Sequence, residues 1–128
     1  MLTTSQITAL LPVTDVERAG RFYAESLGLK RTGTGPDGSV YFAAGAGDVL
    51  ALRPMPEGTQ SEHTALSFEV TDLPAEIKEL EGHGVRFDDF DSNDLRTVDH
   101  IATMGDERAA WFHDSEGNVL CLHEVLTS

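Results

Sequence analysis

The sequence predicts an α+β fold built from two tandem βαβββ modules, and three observations carry that expectation. A short motif recurs, Val13-Thr14-Asp15-Val16 returning as Val70-Thr71-Asp72-Leu73 at an offset of 57 residues. Each copy follows an apolar run and precedes a stretch whose apolar residues fall at helical spacing. Each half then closes with two short apolar runs joined by a glycine-containing turn. Self-similarity at a fixed offset marks a duplicated supersecondary unit. Identical residues are few, so the matched order of elements makes the case. The expected boundaries are residues 1–54 for the first module, 55–62 for a linker and 63–128 for the second, with all 128 residues forming a single domain.

In the first module, Thr14 and Asp15 are candidates to cap a helix, and Thr14 with Glu17 has capping-box spacing. The helix presents Val16, Ala19, Phe22, Tyr23 and Leu27 on one face and stops at Gly28. A short strand, Leu29 to Thr32, is followed by a hairpin of Val40–Ala44, a Gly45/Gly47 turn and Val49–Leu52. Pro54, Pro56 and Gly58 mark the linker. The second helix carries Leu73, Ile77 and Leu80 and ends near Gly82 and Gly84, with His83 placed to complement the helix dipole. Val85 to Phe87 is the expected strand after it. Ala109–His113, the turn Asp114–Asn118 and Val119–Leu122 form the last hairpin. The segment from Asp91 to Asp106 has few strand signals, and its length suits a lid. The acidic run Asp88–Asp94 lacks the spaced pattern of a calcium loop and reads as solvated.

Strand alternation sorts the side chains by face. Leu50, Leu52, Leu66, Phe68, Val70, Leu120 and Leu122 are consistently apolar and belong beneath the helices. The opposite parity gives Thr8, Leu10, Ala51, Arg53, His63, Ala65, Ser67, Glu69, Cys121 and His123, a mixture of small, polar and ionisable groups. Tyr41, Phe42, Phe87, Phe90, Trp111 and Phe112 fall on or beside the pocket strands. About half of them are expected to face inward as aromatic walls by alternation, with the inward member of each adjacent pair left open. Such a face, curled by two similar sheets, suits a ligand-binding concavity.

Composition narrows the function classes. A net charge of −13 opposes nucleic acid and anionic membranes as partners. The charge is uneven: residues 1–62 hold seven acids and five bases, residues 63–128 fifteen acids and four bases. A field of that sign attracts cationic ligands, and it also keeps a protein soluble. The N-terminal stretch lacks the pattern of a secretory signal and no apolar run is long enough to span a bilayer, so a cytoplasmic location is expected. One cysteine excludes an internal disulfide.

The Val-Thr-Asp helix start, Phe22-Tyr23 with Leu27-Gly28, and Asp114 with Gly117-Asn118 before the last strand resemble the vicinal oxygen chelate superfamily. That group includes glyoxalase I, extradiol dioxygenases, fosfomycin-modifying enzymes and bleomycin-resistance proteins. Residues 95–102 and Ala110-Trp111-Phe112 also resemble an uncharacterised branch of it. The resemblance implies paired βαβββ modules in a partly open, eight-stranded barrel-like cleft, usually in a homodimer. Metal-dependent members carry His or Glu at inward positions that fall here on Thr8, Ala51, Ala65 and Cys121. None of these is a His or a carboxylate, so neither a metal nor another cofactor is expected. The favoured function is therefore small-molecule binding of the bleomycin-resistance type, sequestering an aromatic or cationic molecule such as an antibiotic. Tyr41, Arg53, His63, Ser67, Glu69, Phe90, Trp111, Cys121 and His123 are the expected contacts. The alternatives are a metal-dependent lyase or dioxygenase using a displaced His63/His123 site, and a metal-free isomerase using Glu69 as acid–base group.

Overall fold

The computed structural model describes residues 1–45 and 47–126. Ala46, within the expected Gly45/Gly47 turn, and Thr127 and Ser128, the end of the expected second module, lie outside the described residues. The chain divides into two compact units, Met1–Gln60 and Ser61–Ser128, the division falling within the stretch read as linker.

The first unit runs β1 (Thr8–Val13), α1 (Val16–Arg21), β2 (Lys30–Thr34), β3 (Val40–Ala44) and β4 (Asp48–Pro54). Its sheet has the order β1-β4-β3-β2, with β1 parallel to β4 and the other pairs antiparallel. Alternation places Leu11, Val13, Val40, Phe42, Leu50 and Leu52 on one face, buried together with Ala19 and Tyr23 of the helical segment. The Tyr23 and Phe42 rings lie 6.1 Å apart. Side chains of this size each gain about 1.5–3 kcal/mol from burial.

Asp15 caps α1, accepting from the amides of Glu17 and Arg18 at 3.1 and 3.0 Å. The expected Thr14–Glu17 capping box is thereby corrected: the extended backbone at Asp15 (φ −122°) aims its carboxylate over the first turn. The helix also does not stay α to its end. Phe22–Ser26 continues it as a π turn, in which the Leu27 amide donates to the Phe22 carbonyl at 3.1 Å. Gly28, at φ +74°, then reverses the chain so that the Leu29 amide reaches the Tyr23 carbonyl at 2.9 Å. These two long bonds tie off the terminus and widen the last turn.

The second unit runs β5 (Thr64–Glu69), α2 (Leu73–Gly82), β6 (Ala102–Met104), β7 (Glu107–His113) and β8 (Val119–Val125). Its order, β5-β8-β7-β6 with β5 parallel to β8, repeats that of the first unit. Asp72 caps α2 through the Ala75 amide at 3.2 Å, with Pro74 in the first turn where no amide donor is needed. Leu73, Ile77 and Leu80 are buried, as are Ala110, Phe112, Leu120 and Leu122 on the sheet, and α2 packs on β7 and β8. The β7–β8 turn is built on Asp114. Its carboxylate accepts from the amides of Glu116 and Asn118 and from the Asn118 side chain, each at 2.8 Å. Gly117, at φ +91°, completes the reversal.

One expectation fails here in an informative way. Val85–Phe87 is not a strand; Phe87 alone bridges Phe112. The segment with few strand signals contains β6, whose Ala102 pairs with Ala109 and Met104 with Glu107. Phe87 and Ala102–Met104 thus occupy the same edge of β7, both antiparallel to it, and residues 88–101 leave that edge and return. The second module's strand is split by an insertion. In the first module β2 meets β3 with only a register shift between Arg31 and Gly33.

The insertion is tightly bonded, not a loose lid. The Thr97 amide donates to the Phe90 carbonyl at 2.9 Å, Asp91 bridges Arg96, and Val98 bridges Ile101. The acidic run is correspondingly paired as well as solvated, Asp91 with Arg96 at 3.1 Å and Asp89 with His100 at 2.9 Å.

Candidate functional site

Sheet register decides which side chains share the face away from each unit's helix. In the first unit Leu10 lies opposite Ala51, and Ala51 opposite Tyr41. Ala51 is fully buried, Tyr41 half-buried, and Leu10 59% exposed. Phe42 points the other way, into the core. Arg53 lies 3.7 Å from Asp37 across a solvent-exposed pair. Hydrogen bonds from the Ser39 hydroxyl and amide hold the Asp37 carboxyl below the usual carboxylate range, with Arg53 adding a smaller pull.

The same construction in the second unit gives different chemistry. Ser67 lies opposite Cys121, and Cys121 opposite Trp111; one step along, Glu69 lies opposite His123, and His123 opposite Ala109. The Ser67 hydroxyl and His123 Nδ1 are 2.5 Å apart, and His123 Nε2 is 3.6 Å from the Glu69 carboxylate. His123 is held between them, its side chain 26% exposed, while Glu69 stays largely in solvent. Phe90, from the insertion, meets Trp111 edge-on at 5.6 Å and 86°. His113, on the same face as Trp111, pairs with Asp88 at 2.9 Å. Phe112 is again the core-facing partner.

Cys121 sits at the centre of this face. Burial pushes its thiol above the ordinary range, against the lowering effect of hydrogen bonds from Ser67 and the Ala110 backbone, and nearby Glu107 raises it further. The thiol donates to the Leu122 carbonyl at 3.3 Å. A neutral, half-satisfied thiol is a poor nucleophile and behaves as a small filler.

Six of the nine expected contacts, Ser67, Glu69, Phe90, Trp111, Cys121 and His123, therefore gather on one face of the second unit. Tyr41 and Arg53 belong to the first unit's sheet. His63 does not join. It precedes β5, is exposed, and its amide donates to the Ser61 hydroxyl at 3.0 Å. Its inward parity is corrected because the register shifts between Thr64 and Leu66, so alternation cannot be counted back through Ala65.

The family's divalent ion can be tested against the donors present. The central register pairs are Leu10–Ala51 and Ser67–Cys121, and Thr8 instead faces Val49. Neither the alkyl pair of the first unit nor the hydroxyl and protonated thiol of the second fits a divalent ion. Among the described residues no group of three or more His, Cys, Asp or Glu side chains could hold a metal.

Sequence reasoning missed a second feature, a groove of about 810 Å³ beside α2 lined by Ile77, Lys78, Arg96, Val98, His100 and Arg108 among others. Its wall is the insertion, whose hairpin rests on two residues with positive φ, Asp99 (52°) and His100 (71°). An Asp-His pair is an uncommon choice for that turn, so the segment gave no turn signal. Arg108 and Glu124, each one residue in from a strand end, form a 2.5 Å ion pair that the β7–β8 register brings together.

Comparison with known proteins places these features. No curated protein matches the chain. Among solved structures, TnmS3, an antibiotic binding protein from Streptomyces sp. CB03234, is 27% identical with a TM-score of 0.74, the match covering 98% of each chain. A glyoxalase/bleomycin resistance protein from the same strain is 28% identical, covering 92% of this chain and 98% of that one, with a TM-score of 0.67. A member of the glyoxalase/bleomycin resistance protein/dioxygenase superfamily from Sphaerobacter thermophilus DSM 20745 is 25% identical, covering 97% and 99%, with a TM-score of 0.75. The glyoxalase-like domain model matches residues 8–123. With two four-stranded open sheets, each closed by one helix in the same strand order, the chain belongs to the glyoxalase-like domain family of the vicinal oxygen chelate superfamily.

Proposed function

We propose that this protein binds and sequesters a small aromatic or cationic molecule, without a metal and without transforming it. The observation that carries the proposal is the helix-free face of the second unit. There Trp111 and Phe90 form an aromatic corner beside Ser67, His123 and Glu69. An indole face supplies stacking, worth about 0.5–1.5 kcal/mol beyond area burial. The exposed Glu69 carboxylate supplies a counter-charge, in a module holding fifteen acids and four bases. Tyr41 and Arg53 are the corresponding contacts offered by the first unit's own face. The antibiotic-binding relative TnmS3 supports the same class of role. Homodimerisation, a cytoplasmic location and a single domain spanning both modules complete the proposal; light scattering tests the first.

Titration calorimetry with basic and polycyclic aromatic antibiotics tests the binding function directly. Saturable binding that is weakened in Trp111→Ala is expected. A panel that yields no heat, or binding untouched by that substitution, overturns it.

A second function is favoured by one specific contact. His123, held between Ser67 and Glu69, is arranged as an acid–base relay, which suits proton abstraction beside a carbonyl. Incorporation of solvent deuterium into α-hydroxyketones by the protein, absent in His123→Ala, would establish an isomerase-type activity in place of simple binding.

A further inference from the structure

We infer that the groove between α2 and the insertion is a second binding site, one for a small amphiphilic carboxylate. It is built within the second unit alone and uses none of the side chains assigned above to the aromatic face.

The insertion gives the groove a fixed wall. Val98 and Ile101 exchange both backbone hydrogen bonds, at 2.8 and 3.0 Å, around Asp99 and His100, both at positive φ. This is a two-residue hairpin turn of the kind that normally takes Asn-Gly, because side chains are strained there. A glycine in place of His100 would relieve the strain. The histidine is explained by what its ring holds. Nδ1 meets Asp89 at 2.9 Å, Nε2 meets Glu81 of α2 at 3.4 Å, and the ring lies over Phe87 at 6.1 Å and 30°. The strained residue thus pins the hairpin tip to α2 and to the start of the insertion. Val98, 72% exposed, is one of the residues of this hairpin that line the groove.

The lining then selects a ligand class. Residues 63–128 contain four bases, and three of them, Lys78, Arg96 and Arg108, line this one groove. Two acids also line it, Glu81 and Asp99, and Glu81 is engaged by His100. Arg96 and Arg108 pair with Asp91 and Glu124 through Nε, or Nε and one terminal nitrogen, which leaves each guanidinium further donors in its fork. Pro74, Ile77, Val98 and Ile101 provide apolar walls between these cations. Cations bordering apolar surface suit one carboxylate on an aliphatic or aromatic body. A multiply charged anion gains little from the walls and is repelled by a chain of net charge −13.

The test uses the full-length protein and four probes, followed by amide chemical shifts in NMR titrations. Hexanoate and benzoate are expected to saturate with shifts confined to residues 74–81, 96–103 and 108, while hexylamine and inorganic phosphate do not. Arg96→Gln is expected to weaken hexanoate about fivefold, the scale of one exposed ion pair. His100→Gly is the more telling variant. The turn tolerates glycine better than histidine, so melting should show a folded protein, yet hexanoate affinity should fall because the wall is no longer pinned. Hexylamine binding as tightly as hexanoate, carboxylate shifts mapping elsewhere, or both variants binding as wild type overturns the inference. Because Trp111→Ala leaves this groove intact, retained hexanoate binding in that variant separates this site from the aromatic face.

Discussion

Where the first module sets Tyr41 beside Ala51 and Leu10, the second sets Trp111 beside Cys121 and Ser67, with His123 and Glu69 next in line. On the helix side the two modules are nearly interchangeable: Phe42 and Phe112 are both fully buried from equivalent strands, beneath α1 and α2 respectively. Duplication therefore kept the interior, which must satisfy packing, and let the other face diverge. What differs between the copies points to function more directly than what they share.

The largest effect tests the shared side. Phe42→Ala and Phe112→Ala should each cost about 3–5 kcal/mol in urea unfolding, because each leaves a ring-sized void in a closed core. If one is tolerated within about 1 kcal/mol, the two interiors are not equivalent. The hairpins come next. The second depends on the buried Asp114, whereas the first turns on Gly45 and Gly47, at φ +56° and +95°. Asp114→Ala should cost about 1–3 kcal/mol by orphaning the amides it caps. A neutral outcome would show that Gly117 alone sustains the turn.

Ligand binding separates the divergent faces. Trp111→Ala should weaken an aromatic cationic ligand by about 1–2 kcal/mol, and Tyr41→Ala by less, in parallel calorimetry. The reverse ranking would move the site's centre to the first module. Glu69→Gln should weaken the same ligand by up to about 1 kcal/mol at low salt, and the difference should shrink at high salt because Glu69 is exposed.

The smallest effect concerns Cys121. Its raised pKa means the folded state keeps a proton that the unfolded chain releases. Stability is therefore unaffected below the ordinary thiol range and declines as pH rises from there through the folded value. Cys121→Ala should abolish that part of the alkaline loss in melts followed against pH. Iodoacetamide should label native Cys121 more slowly than the unfolded protein at neutral pH.

Helix starts, hairpins and module order were legible because each is written locally, in a capping Asp, a 3.6-residue period or a glycine at a turn. The face residues on β5, β7 and β8 were legible from alternation once the strands were placed, and the Tyr41 and Trp111 parities follow from register with β4 and β8. His63 was misread because a bulge resets alternation, and a bulge has no marker in the sequence here. Val85–Phe87 and Ala102–Met104 were misread because their strand character comes from pairing along β7, not from their own composition. The groove was invisible for a related reason. It needs Arg96, His100 and Arg108 to converge from distant positions, and a turn that sequence preference disfavours.

In both sheets the strand made last lies second in order, between the strand made first and its own hairpin partner. During synthesis β1 and β5 therefore wait, with no hydrogen-bonding neighbour, until seven final residues, Asp48–Pro54 or Val119–Val125, arrive to bridge them. Each half locks with its closing stroke. A ribosomal product cut short at Asn118 would carry a finished first module and a second in which β5 has nothing to dock against. Its raw strand edges are the kind of surface that cellular quality control removes.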